Sequence, residues 1–151
     1  MTSLKMKDLP PAIRKRIKNE NNISTPARDP KIIQEQLFKL LKSTLPKAEV
    51  IYDSLQPVKG RKYRLDIAIP AIKLGIEVLG WQYHGKHLNS FKQDILRHND
   101  IVAEGWLIYY VAAGRINSEP ADVVGELLYF ISRRYPEFYQ SEVCFHGNIG
   151  T

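Results

Sequence analysis

The fold is decided by the stretch Tyr63–His84, which reads YRLDIAIPAIKLGIEVLGWQYH. Aliphatic and β-branched residues form two short blocks on either side of Pro70, the second broken by Gly75, which predicts two neighbouring strands joined by a tight turn. Each block contains one carboxylate, Asp66 in the first and Glu77 in the second. In a hairpin these two acids can face the same side, where a bound cation or basic side chains must neutralise them. The pattern favours a divalent metal.

Length and composition bound the class of protein. The 151 residues, 44% hydrophobic and 25% charged, predict one soluble globular domain. We expect no membrane association, because no apolar run approaches the roughly 20 residues of a membrane helix, and the amino terminus has no secretory signal pattern. The single Cys144 fits a reducing compartment. We therefore expect an intracellular, cytoplasmic protein.

Positive charge is concentrated in two places. Residues 1–28 contain seven basic and two acidic residues, a net charge of +5 out of +6 for the whole chain. Such a basic arm is typical of proteins that bind polyanions, although a solvated leader is the simpler alternative. A second cluster lies directly before Asp66 and favours a phosphate substrate. The candidate DNA-binding residues are Arg14, Lys15, Arg16, Lys18, Lys59, Arg61, Lys62 and Arg64.

Helical and strand patterns alternate along the chain. The predicted elements are a helix from Pro30 to about Pro46, strands at 48–52, 65–69 and 74–78, a helix at 90–104, a strand at 106–112 and a helix at 118–135. Asp29 is the predicted N-cap of the first helix, and the helical pattern of Phe91, Ile95, Ile101 and Val102 ends at Gly105. The order αβββαβα predicts an α/β protein of α+β-like character, with a mixed sheet flanked by helices. We assign 1–28 to the basic arm, 29–136 to the folded domain and 137–151 to a tail.

The order and spacing of several short motifs resemble those of a known superfamily. The motifs are Arg64-Leu-Asp66, Ile76-Glu77, Gly80 followed by His84, and Asp94 with Arg97 leading to Gly105-Trp106. Together they resemble the PD-(D/E)XK nucleases, and most of all the branch around the very-short-patch-repair endonucleases. The resemblance covers about residues 30–131. It implies a nuclease-like domain with a restriction-endonuclease-like fold.

The resemblance also implies roles for individual residues. Asp66 and Glu77 match the two acids that bind the catalytic Mg²⁺ (or Mn²⁺) in such enzymes. Glu35 matches an acid that completes the metal shell in many members. His84 resembles a histidine of the short-patch branch that serves in acid or base work, and Asp94 resembles a helix acid that supports the active site.

One position departs from the superfamily pattern. The signature has a lysine two residues after Glu77, where this chain has Leu79. Leucine can neither stabilise charge on the attacked phosphate nor position a water molecule. Either another residue has taken over this function, or catalysis has been lost. The short-patch branch relies on histidine instead, which favours an active enzyme; the candidate replacements are His84, His87, Lys92 and Lys73.

Each strand acid also has a purely structural interpretation. Asp66 could cap a turn or pair with Arg64 or Arg61, although its place inside an apolar block argues against this. Glu77 could neutralise a buried basic group.

The other candidate residues have structural interpretations as well. Glu35 lies four residues before Lys39, so an ordinary solvent-facing ion pair is at least as good an interpretation. His84 lies in a glycine-containing loop, where surface histidines are common. Asp94 precedes His98 at helical spacing and could simply support that face of the helix.

These observations predict a magnesium-dependent endodeoxyribonuclease that hydrolyses phosphodiester bonds in DNA. The alternative is a catalytically inactive DNA-binding protein that retains the nuclease fold, and Leu79 is its best argument. A protein-interaction module that binds no nucleic acid is disfavoured by the basic arm. A homodimer would be the easiest way for one small active site to cut both strands.

Overall fold

The computed structural model describes residues 29–80 and 88–143. The elements in this part of the chain are α1 (Pro30–Thr44), β1 (Ile51–Tyr52), β2 (Ile67–Ile69), a 3₁₀ turn (Pro70–Ile72), β3 (Leu74–Leu79), α2 (Leu88–Ala103), β4 (Leu107–Ala112), α3 (Ala113–Ser118), α4 (Pro120–Arg134) and α5 (Pro136–Val143). None of the helices in these ranges is both long and apolar enough to cross a membrane.

The four strands form one mixed sheet in the order β1-β2-β3-β4. The first three strands are antiparallel neighbours, and β4 lies parallel to β3 after the α2 crossover. The predicted mixed α/β architecture, with helices flanking the sheet, is confirmed. Because sequential strands are adjacent, β1 and β4 are the edges of the sheet that residues 29–80 and 88–143 form.

The predicted hairpin forms, with one correction. Pro70 begins a single 3₁₀ turn, and Lys73 closes it in the left-handed region at φ 47°. The sequence suggested a break at Gly75, but this glycine lies inside β3. A β-carbon there would lie 2.9 Å from Ile108 Cδ1 and 3.0 Å from Leu65 Cδ1, so glycine allows close packing on this face of the sheet.

One face of the sheet carries the main hydrophobic core. Asp29 caps α1 by accepting a hydrogen bond from the Lys31 N–H at 3.0 Å, as predicted. The apolar stripe of α1 is then buried through Ile33, Leu37 and Leu41. Helices α3, α4 and α5 cover the same face, so four of the five described helices pack on one side.

The opposite face of the sheet is covered by α2. Leu65, Ala68, Ile101 and Trp106 form a smaller core there. Helix α2 is followed at the predicted place by Gly105, which adopts φ 85° and allows the chain to turn into β4. Only the carboxyl-terminal part of α2 is buried against the sheet.

The carboxyl-terminal part of the described chain contains more helix than the sequence predicted. A short α3 precedes α4, and α5 follows Pro136. Phe138 and Tyr139 of α5 pack against the main core.

Candidate functional site

Asp66 and Glu77 lie side by side on the face of the sheet that α2 covers. Ile67, the first residue of β2, pairs with Ile76, so Asp66, directly before β2, comes opposite Glu77 when this register is continued by one position. Side chains alternate between faces along a strand, and this places both acids on the face opposite the buried isoleucines. The Asp66 carboxylate accepts a hydrogen bond from the Val78 N–H at 2.8 Å, which fixes it against β3.

Arg97 of α2 contacts Glu77 from the helix side. Its Nη2 donates to Glu77 Oε1 at 2.9 Å and to the backbone carbonyl of Arg64 at 2.8 Å. The Glu77 side chain is 12% exposed and that of Arg97 is 30% exposed. Thus the buried carboxylate has a basic partner, as the structural interpretation of Glu77 required. Two carboxylates and one guanidinium meet in a single place.

Burial, and after it the nearby charge of Asp66, raise the pKa of Glu77 from 4.5 to about 7. The ion pair with Arg97 opposes this shift but does not cancel it. Burial also raises the pKa of Asp66, against the Val78 hydrogen bond and the charge of Arg97. The Glu77 side chain lowers the pKa of Asp66 slightly, whereas the charge of Asp66 raises that of Glu77, so the titration of each acid depends on the other. Near neutral pH, a cation at this pair would compete with the proton on Glu77.

Asp53 is a third acid beside the pair, which the sequence analysis did not identify. It follows β1 directly, adopts φ 43°, and donates its N–H to the Asp66 carbonyl at 2.9 Å. Its charge raises the pKa of Asp66. A polar residue that directly follows a strand beside the hairpin is the signal that could have revealed it. Even so, no group of three or more His, Cys, Asp or Glu suited to a metal ion occurs within 29–80 and 88–143.

The second basic cluster lies in the loop that leads into Asp66. Arg61 Nε lies 3.9 Å from Asp100 Oδ2 of α2, and Arg64 Nε lies 4.0 Å from Asp53 Oδ1. The two arginines considered as partners of Asp66 thus contact other acids. Both arginines are more than half exposed, and Lys59 and Lys62 of the same loop are exposed as well.

The remaining predicted residues lie in different places. Glu35 is half exposed on α1 and pairs with Lys39 at 3.4 Å, the contact that its structural interpretation required. Asp94 lies on α2 and lines a shallow hollow with His98 and Tyr110. The ammonium of Lys73, one candidate for the missing lysine, donates to the Glu104 carbonyl at 3.1 Å at the start of β3.

Several predictions concern residues outside the described ranges. They are the acid–base role of His84, the candidate His87, and phosphate binding by Arg14, Lys15, Arg16 and Lys18. Arg97, like Asp53, is a site residue whose role was not predicted from the sequence, although the motif that contains Arg97 was identified.

Comparison of the chain with protein-family models, curated proteins and solved structures gave no match. The resemblance to PD-(D/E)XK nucleases therefore remains a prediction from Asp66, Glu77 and the motifs around them.

Proposed function

We propose that this protein is a divalent-metal-dependent endonuclease that hydrolyses phosphodiester bonds in DNA. The observation that carries the proposal is the placement of Asp66 opposite Glu77 on one face of the sheet. A buried acid beside a second acid is unfavourable in an ordinary core, and strongly perturbed carboxyl groups cluster at functional sites. Exposed arginines and lysines lie in the loop next to this pair, as a phosphate substrate requires.

The two acids suit Mg²⁺ or Mn²⁺ as ligands. Mg²⁺ is usually bound through one or two carboxylates together with water and substrate phosphate, so a pair of acids is enough. A cation at the pair would also stabilise the charged form of Glu77, whose pKa burial raises to about 7. When bound, such a metal supplies a water of lowered pKa and neutralises charge on the phosphate.

Residues of the chain would supply the other functions, which are charge stabilisation, binding of the DNA backbone and proton transfer. Arg97 donates hydrogen bonds to Glu77 and to the Arg64 carbonyl, which hold the glutamate in place. Its positive charge therefore lies at Glu77, two positions before Leu79 in the sequence. Arg97 is therefore our candidate for the charge that the missing lysine would supply. Lys59, Arg61 and Lys62 would bind the DNA backbone, and His84 would transfer the proton.

The second candidate function is a catalytically inactive DNA-binding protein. The same ion pair favours it, because Arg97 already gives Glu77 a positive partner without any metal. Leu79 favours it as well. Under this alternative the acids stabilise the position of α2, and the basic loop alone binds DNA.

Cleavage and metal binding separate the two candidates. We would incubate the full chain with plasmid, branched and mismatched DNA, with and without Mg²⁺ or Mn²⁺, and measure Mn²⁺ binding by calorimetry. Asp66→Asn should abolish both cleavage and metal binding. The control is Glu104→Gln, which changes an exposed acid at the end of α2 and should leave both intact. Full cleavage by Asp66→Asn would refute the site. DNA binding with neither metal binding nor cleavage in the unmodified chain would favour the inactive protein.

A further inference from the structure

Exposed apolar side chains flank β4 on both faces of the sheet. On the α2 side, Phe91, Ile95 and Tyr110 are 54%, 44% and 47% exposed. They line a hollow of about 260 Å³. On the α4 side, Tyr129 is 67% exposed and borders a larger hollow of about 700 Å³ with Tyr109. Tyr109 and Tyr110 are consecutive in β4, so the two hollows lie back to back across one strand.

The strand between these hollows lies at an edge of the sheet. No other strand in the described part of the chain pairs with the outer side of β4. The Leu107 N–H donates inward to the Lys73 carbonyl, so the alternation of a parallel ladder directs the N–H group of Ile108 outward. Exposed edges are normally protected by lysine, proline or a bulge, and the sequence LIYYVA of β4 contains no charged residue or proline.

The charges beside the larger hollow on one copy of the chain would complement the same charges on a second copy. Asp122 lies in the first turn of α4 and Arg133 in its last turn, and both line this hollow. A two-fold axis that makes two β4 strands antiparallel also makes the two α4 helices antiparallel. The end of α4 that carries Arg133 in one copy then lies beside the end that carries Asp122 in the other. Contact between identical surfaces is the usual arrangement in homodimers.

We propose that a second copy of this chain binds at β4, so that two β4 strands pair antiparallel and join the two sheets into one of eight strands. The exposed tyrosines and the apolar residues of α2 would be buried beside that junction. Tyr110 is the neighbour of Glu77 in the register of β3 and β4, so this surface adjoins the Asp66–Glu77 pair. The proposal depends on neither metal binding nor DNA cleavage.

Sedimentation equilibrium of the full chain tests the proposal. We expect a dimer, and we expect Ile95→Lys and Tyr129→Lys each to raise its dissociation constant at least about tenfold, because each places a charge in a buried interface. The matched control is Ile32→Lys, which alters an equally exposed isoleucine on α1, next to the β1 side of the sheet. The control should dimerise normally.

Hydrogen exchange provides a second readout that needs no substitution. If β4 strands pair, exchange at the Ile108 amide should slow as the concentration of the unmodified chain rises. A chain that stays monomeric at every concentration overturns the proposal. So does a dimer that keeps its affinity in both lysine variants, or one in which exchange at the Ile108 amide is independent of concentration.

Discussion

Replacing Glu77 with glutamine should remove a large part of the pH dependence of stability. Burial and the charge of Asp66 raise the pKa of Glu77 from 4.5 to about 7 in the folded protein. In the unfolded chain the same group returns to its ordinary value. Between these two values the folded state holds more protons than the unfolded state, so the free energy of unfolding falls as pH rises. Glutamine has a similar shape but no titration.

The size of the effect follows from the two pKa values. A rise from 4.5 to about 7 corresponds to about 3.4 kcal/mol, at about 1.4 kcal/mol per pKa unit. This stabilisation is fully present below pH 4.5 and is lost as pH rises through 7. Proton linkage predicts that about 2.5 kcal/mol of this stabilisation is lost between pH 5 and pH 8. Relative to Glu77→Gln, the unmodified protein should lose that amount of stability across this range.

Urea unfolding at half-unit pH steps from 5 to 8, without divalent metal, measures the difference directly. Glu49→Gln is a matched control, because Glu49 is exposed and lies outside the site. Its stability curve should run parallel to that of the unmodified protein. Parallel curves for Glu77→Gln and the unmodified protein would refute the argument, because they would mean that Glu77 titrates alike in the folded and unfolded states.

Three further predictions concern the site and the arm. Arg97→Ala should shift the pH midpoint of the same stability curve upward by up to about one unit, since a partly exposed ion pair contributes about 1 kcal/mol; an unchanged or lower midpoint would contradict the Arg97–Glu77 contact. Deleting residues 1–28 should weaken binding to every DNA duplex alike and reduce the salt dependence by about 0.9 in logarithmic slope for each phosphate that the arm neutralises, measured by fluorescence anisotropy; an equal slope would mean that the arm is only a leader. His84→Ala should slow single-turnover cleavage roughly 10²–10⁴-fold with little change in DNA affinity, and a normal rate would move the acid–base role to His87 or Lys92.

Local sequence patterns determined the elements of the fold. The Asp29–Pro30 helix start, the hairpin around Pro70 and the glycine after α2 each depend on backbone preferences that act over a few residues, so they could be predicted and are confirmed. The two strand acids could be identified for the same reason, because a carboxylate inside an apolar block stands out without any tertiary information.

The tertiary structure decided which other side chains meet those acids. Arg97 lies 20 residues from Glu77 in sequence, and the α2 crossover alone brings its guanidinium to 2.9 Å. Asp53 likewise comes beside Asp66 only through the pairing of β1 with β2. Helical spacing predicted an apolar face on α2 but not that Phe91 and Ile95 would stay exposed, because burial depends on what packs opposite a residue. Backbone preference is a property of neighbouring residues, whereas contact and burial depend on segments that are distant in sequence, and the folded sheet alone brings those segments together.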